Sequence, residues 1–322
     1  MIPKSGYRFS EKIMLQHKAM RHARILRYVD EIARCGSIRK AAERLNVTAS
    51  AMNRRVADLE DELGAPLFER KPRGVRLTAA GELFVRYARE QATDLERVKS
   101  QIEDLKGLRR GTVRIACSQA LAHEFLPAEI AAFRATHPLV AFEVKVLDHE
   151  RAIAALAGYE TDLVLVFRPP FLAPFQPLMR LPQRLVALMA ADHPLAGKRT
   201  VRLRDCAAYP LALAERSIGG RQLLDEVAAR AGLKFTTVVE SNSFEFLRYY
   251  IARERLISFQ ISIGAPALHS DVVAREMDDR DVPQADLVLG HIRGRNLPIA
   301  TAVFAERLIR RLEIMRETHM AA

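Results

Sequence analysis

Between Ser37 and Leu63 apolar residues recur at helical spacing in two short runs. Ile38, Ala41, Ala42 and Leu45 fall at i, i+3, i+4 and i+7, one face of a first helix. Asn46-Val47 interrupts the pattern, and Asn tolerates the left-handed backbone that a tight helix-to-helix turn requires. Thr48 is placed to cap a second helix, in which Met52, Val56, Leu59 and Leu63 form the apolar stripe. Rotation by about 100° per residue carries Ser50, Asn53 and Arg54 to the opposite face. Upstream, Arg24 to Arg34 predicts a bracing helix with Ile25, Val29, Ile32 and Ala33 inward, stopped by Gly36. Downstream, Leu67 to Arg70 and Val75 to Thr78 flank Lys71-Pro72-Arg73-Gly74, which predicts a short hairpin with a basic tip.

The pattern then lengthens. Ala79 to Lys106 predicts one long helix on which Phe84, Ala88, Gln91, Leu95, Val98, Ile102 and Leu105 alternate steps of four and three. That is a heptad seam suited to pairing with a second copy of the chain. Gly107 to Gly111 reads as a basic hinge, and beyond it the period changes. Strands are expected at Thr112 to Cys117, Val140 to Leu147 and Asp162 to Phe167, with helices at Glu124 to Thr136 and Arg151 to Ala157. Arg168-Pro169-Pro170 closes this block. A second block predicts strands at Arg184 to Met189, Leu211 to Ala214, Thr236 to Glu240 and Leu256 to Gln260. Its helices are Gly220 to Ala231 and Phe244 to Arg253, and the tail carries a strand at Asp286 to His291 and a helix from Pro298 to Arg316. Alternating strands and helices predict parallel sheets covered on both faces.

Charge changes the picture at one end. The chain of 322 residues carries a net +11, with 49% hydrophobic residues. Residues 1–77 hold 17 Lys and Arg against 9 Asp and Glu, while the remainder holds 33 against 30. A concentrated positive end suits a polyanion such as DNA. A membrane partner is not expected, because no apolar run approaches the roughly 20 residues that span a bilayer. Cys35, Cys117 and Cys206 are far apart and odd in number, so they form neither a disulfide framework nor a metal-spaced pair, and a reducing cytoplasm is the simplest setting. The nine His add no metal-ligand spacing, so no metal and no cofactor are expected. Residues 1–20 lack the apolar core of a secretory signal. They read as a disordered basic arm, or as sequence upstream of a start at Met20.

The outward face of the second short helix has no acid in its first two turns. Its hydroxyl, amide and guanidinium groups are those that hydrogen-bond to base edges and phosphates in a major groove. Such a helical pair is either a DNA-binding helix-turn-helix or an ordinary pair with a solvated basic face. The surrounding sequence bears on this choice. AAERLNVT, LEDELGAPLFER and RGVRLTAAGE, in this order and spacing, resemble the N-terminal domain of LysR-type transcriptional regulators. TVRIACSQALAHEFLPAEIAAFRATHP and AADHPLAG resemble segments of the same family's effector domain. Two departures lie at base-reading positions: Ala49-Ser50 stands where the family often has Gln-Pro, and Asn53 where it often has Ser.

The resemblance implies an α/β chain with an α-rich winged helix-turn-helix domain (21–78), a linker helix (79–108) and a two-lobed, periplasmic-binding-protein-like effector domain (109–322). Lobe I is expected at 112–168 and 264–322, and lobe II at 169–263. Residues 1–20 stand outside these domains. The implied function is sequence-specific transcriptional regulation under a small effector. The implied partners are an operator with two half-sites, further copies of the chain as a dimer or dimer of dimers, and RNA polymerase. A ligand between the lobes would bias their angle, and through subunit pairing the spacing of the recognition helices and the bend in the DNA. Ser50, Asn53 and Arg54 are the expected base readers. Arg39, Lys40, Arg55, Arg70, Lys71, Arg73 and Arg76 are expected on phosphates, and Ser37, Thr48 and Ala49 complete the contact set.

In open α/β sheets, ligands sit beyond the carboxyl ends of strands, at helix N-termini. Ser118-Gln119 occupies such a turn and matches the family position that contacts effectors, although Ser118 is also placed to cap a helix. Arg216-Ser217 and Ser241-Asn242-Ser243 occupy similar turns in the second lobe, with Asn242 and Glu245 spaced as a capping box. Arg168 is either a carboxylate partner or a structural arginine. This set suggests a small anionic effector. An enzyme is not expected: Cys117 ends an apolar strand and His123 has no orienting acid nearby. The segment Ser217-Ile218-Gly219-Gly220-Arg221 lacks the cysteine that peroxide sensors of the family carry there. The remaining alternative is a ligand-binding protein that no longer regulates transcription.

Overall fold

The computed structural model describes residues 24–72, 74–105, 110–170, 175–265 and 271–321. The expected arm at residues 1–20, Arg73 and most of the expected hinge lie outside the described residues. The chain divides into two compact units, Met1–Lys99 and Ser100–Ala322.

In the first unit α1 (24–35), α2 (Ile38–Arg44) and α3 (Ala49–Leu63) pack their apolar stripes together, burying Val29, Ile32, Ala41, Ala42, Met52, Val56 and Leu59. The turn forms as its residues dictate. Asn46 adopts φ +52°, and the Thr48 hydroxyl accepts the Ala51 N–H at 3.3 Å. Strands β1 (Phe68–Lys71) and β2 (Gly74–Leu77) pair antiparallel as the hairpin. Two contacts fix it to the helices: Glu60 Oε1 of α3 accepts the Leu67 N–H at 2.7 Å, and the Val75 N–H donates to Gly36 O, in the turn after α1, at 2.9 Å. Helix α4 (Ala79–Leu105) follows. Its start packs inward through Val85 and Ala88, whereas further along Leu95, Val98 and Ile102 are 50%, 43% and 47% exposed. The expected seam therefore has two parts: Ala88 is spent within the chain, and Leu95, Val98 and Ile102 stand open.

In the second unit the described strands form two large sheets. The first has the order β4-β3-β5-β13-β6, from β3 (Gly111–Cys117), β4 (Val140–Val146), β5 (Leu163–Phe167), β6 (Phe175–Gln183) and β13 (Ala285–Ile292). Side chains alternate across it. Ile115, Cys117, Leu163 and Leu165 face the core with α5 (Phe125–Thr136) and α10 (Ile299–Ala321), while Ala116, Val164 and Val166 face α6 (His149–Ala157). The second sheet has the order β10-β9-β11-β7-β12-β8, from β7 (Leu185–Ala190), β8 (Thr200–Val201), β9 (Leu211–Ala214), β10 (Thr237–Ser241), β11 (Ile257–Ile261) and β12 (Val272–Met277). It is covered by α7 (Leu203–Ala207) and α8 (Gly219–Arg230) on one face and by α9 (Phe244–Ile251) on the other.

Two expectations are corrected. The sheets are mixed, because β13 runs antiparallel to β5 and β6, and β7 antiparallel to β11 and β12. The lobe boundaries also move. Strand β6 lies in the first sheet and β12 in the second, so the chain crosses after Gln183 rather than at 168 and returns between Met277 and Ala285 rather than at 263. Strand β6 carries Pro177 and Pro182, which argue against a central strand. It is an edge strand, where the missing N–H groups cost no ladder bond.

Candidate functional site

On the first unit, Ala49, Ser50 and Arg54 are exposed at the start of α3. Ser50 Oγ donates to Thr48 Oγ1 at 3.2 Å, which ties it to the capping hydroxyl at the helix N-terminus. Arg70 Nη2 donates to Asn53 Oδ1 at 3.4 Å, so the hairpin and the outward face of α3 meet. Ser37 caps α2 by accepting the Lys40 N–H at 3.4 Å. Other basic residues of the expected set are partly committed. Arg39 pairs with Glu43 and Lys71 with Glu69, at 3.2 and 3.0 Å. The Arg55 guanidinium lies 6.0 Å from the Tyr28 ring centroid, a stacking partner that the sequence pattern did not single out. Among the described residues Lys40, Arg54 and Arg76 have no carboxylate within ion-pair distance, and all three are exposed.

In the second unit a cavity of about 240 Å³ lies between the two lobes. Four of the expected residues line it: Ser118 and Gln119 from the first lobe, Ser217 and Asn242 from the second. Ser118 does not cap the following turn. Its Oγ accepts the Phe167 N–H at 3.1 Å, which leaves the hydroxyl proton to donate. Gln119 Oε1 accepts the Phe244 N–H across the cleft at 2.8 Å, tying the first lobe to the start of α9. Helix α8 begins at Gly219 with no side-chain cap and no acid in its first turn. Among the described residues the Gly219 and Gly220 N–H groups have no acceptor. Such a helix start attracts anions.

Four expected residues lie outside this lining. Arg168, at φ +51°, gives Nη2 to both oxygens of Glu226 at 3.1 and 3.0 Å, so it bridges the lobes instead of facing the cavity. Arg216 is exposed, with Asp225 4.0 Å away. Ser243 caps α9 by accepting the Phe246 N–H at 3.2 Å, which displaces Asn242 from the expected capping box, and Ser241 Oγ accepts the Ser243 N–H. Asn242 is thereby left to the cavity. Conversely, Asp148, His149, Arg151, Glu215, Arg221 and Gln260 also line it. Asp148 accepts the Arg151 N–H at 2.8 Å and starts α6 two residues earlier than expected, and Asp as a cap was the missed cue. Arg221 is 5% exposed in its side chain and spends its donors on Ala214 O, Asp225 and Glu240, so its charge is already matched.

Cys117 is buried, and burial pushes its thiol up to about 12. Among the described residues no group of three or more His, Cys, Asp or Glu is placed to hold a metal ion, and no helix is long and apolar enough to cross a membrane.

A basic winged helix-turn-helix joined to a two-lobed cleft defines a ligand-binding DNA reader. The chain belongs to the LysR family of bacterial regulatory helix-turn-helix proteins and is a DNA-binding transcriptional regulator: residues 23–82 match that family's helix-turn-helix model, and residues 106–313 its substrate-binding-domain model. It is 28% identical over 292 residues to the RuBisCO operon transcriptional regulator of Allochromatium vinosum, covering 88% of this chain and 94% of that one. Among solved structures it is similar to a full-length OxyR variant from Pseudomonas aeruginosa, with TM-score 0.70, 23% identity and 89% and 94% of the two chains covered. It is also similar to full-length CbnR complexed with its target DNA, with TM-score 0.63, 19% identity and coverage of 90% and 99%.

Proposed function

We propose that this regulator reads an operator of two half-sites as a dimer or a dimer of dimers, and that a small anion in the interlobe cavity controls it. The observation that carries the effector reading is the uncapped, acid-free start of α8, which faces Ser118, Gln119, Ser217 and Asn242. Most of the groups offered there are donors, and a carboxylate or phosphate accepts from several at once. A volume of about 240 Å³ is below that of drug-sized pockets and suits a small metabolite.

On the DNA side, Ser50, Asn53 and Arg54 read bases, and Lys40, Arg70 and Arg76 hold phosphates. Ser37 and Thr48 set the helix starts. Pairing through Leu95, Val98 and Ile102 of α4 would hold two such heads at a fixed separation. Chemistry is not assigned to the cleft, and the buried, high-pKa Cys117 supports that reading. The cytoplasm, where the DNA is, is the proposed location, and RNA polymerase a proposed partner.

The test is fluorescence anisotropy with duplex DNA from the gene's own upstream region, at rising salt and with a panel of small carboxylates and phosphates. At least one anion should shift the DNA affinity or the footprint. If only neutral or cationic compounds do so, the effector assignment is wrong.

A further inference from the structure

His149 is the first residue of α6, 5% exposed, and lines the interlobe cavity. Its Nδ1 is buried with no hydrogen-bond partner. A buried polar nitrogen without a partner costs free energy, and such an atom calls for an explanation. Across the cleft stands Gly219, the first residue of α8: a methyl group built there would lie 3.4 Å from His149 Nδ1 and 2.9 Å from Phe167 O. The orphan nitrogen therefore lies beside the helix start whose first N–H groups also lack acceptors, and His149, Gly219 and Gly220 line the same cavity. One oxygen-rich ligand in that cavity could accept from both sets.

We propose that His149 is an effector-contacting residue. An oxygen-rich anion at the start of α8 is also bound by a protonated His149, whose Nδ1–H donates to it, so that binding takes up a proton. This rests on the anion reading of the cleft and adds to it a residue, a charge state and a linkage.

The surrounding groups fit this exchange. On its own turn His149 has Asp148, Glu150 and Arg151. Arg168 stands at the end of β5, Glu215 and Arg221 lie around α8, and Arg180, Asp286 and Arg293 line a second cavity on its other side. Arg168 is bound to Glu226, Arg180 to Asp286, and Arg221 to Asp225 and Glu240. Burial is the largest influence on His149 and holds the imidazole below its usual pKa. Arg168 acts in the same direction, and Glu150 and Asp148 oppose it. An anion in contact places negative charge against the ring, which favours the imidazolium and raises the pKa in the complex. Between the two pKa values each anion bound brings a proton, and affinity falls as pH rises, by up to about tenfold per unit.

Sulfate is the probe, because it stays doubly charged from about pH 5.5 to 8. Calorimetry of the full chain in two buffers of different ionisation enthalpy counts the protons. The expected result is uptake approaching one proton near pH 7, affinity falling toward pH 8, and loss of both the uptake and the pH dependence in His149→Gln. Sulfate binding that is weakened by Ser118→Ala and Gln119→Ala, but with no proton uptake or with uptake unchanged in His149→Gln, would overturn the role of His149 while leaving the cleft reading intact. Absence of sulfate binding, or binding indifferent to Ser118→Ala and Gln119→Ala, would overturn the anion reading itself. Circular dichroism of each variant separates unfolding from loss of contact, and His149→Asn serves if the Gln variant does not fold.

Discussion

Individual side chains on α3 and the hairpin divide into two roles with different measurable consequences. Arg76 is exposed on β2, opposite Glu69 in the hairpin register but outside ion-pair distance of any carboxylate among the described residues, so its guanidinium donors are available to a phosphate. Arg76→Ala should weaken binding to all duplexes alike and lower the slope of log affinity against log salt by about 0.9. Arg54→Ala should instead relax preference at one base position, by about 1–3 kcal/mol of discrimination. Competition binding against a randomised site at several salt concentrations separates the two, and exchange of these outcomes would mean the roles are reversed. At this scale the sequence was most readable where a residue's chemistry is local. Thr48 as a cap and Asn46 as a left-handed turn residue follow from their own side chains. Arg168 and Arg216 were not readable, because their surroundings depend on residues far along the chain: Glu226 takes Arg168 out of the cavity set, and Arg216 is exposed.

Elements show the same division. The helices of the first unit were legible because one stripe faces one local core. Strand β6 was not, since two prolines disguise it and only its place at the sheet edge tolerates them. Strand β12 was missed as well. It pairs with β7, over eighty residues earlier in the chain, and that pairing moves the lobe boundary. The open part of α4 carries its own prediction. Leu95→Glu with Val98→Glu places charge on two half-exposed apolar positions, so it should leave the fold intact and split the dimer in sedimentation velocity. A variant that still sediments as a dimer would locate the interface elsewhere. Where the lobes meet, Gly264 lies against Ala120: an added methyl would come within 2.6 Å of Ala120 O and 2.9 Å of Ala120 Cβ. Gly264→Ala should cost about 1–3 kcal/mol of stability, seen as a lower urea midpoint. An unchanged midpoint would mean the lobes do not close at this contact in solution.

For the whole molecule, three buried histidines set a pH dependence. Burial holds His149, His193 and His291 below the usual imidazole pKa. The unfolded chain therefore binds more protons than the folded one as pH falls below about 6.5, and stability drops with it. Calorimetric melting should show a lower Tm at pH 5.5 than at pH 7.5, and His291→Asn should reduce the difference. A flat profile would contradict the burial argument.

The most direct test of a paired, charge-driven DNA reader is analytical ultracentrifugation of the full chain with its upstream duplex at low ionic strength. The expected result is an even number of subunits on each duplex, released as salt rises. A lone subunit sedimenting apart from the DNA would contradict it.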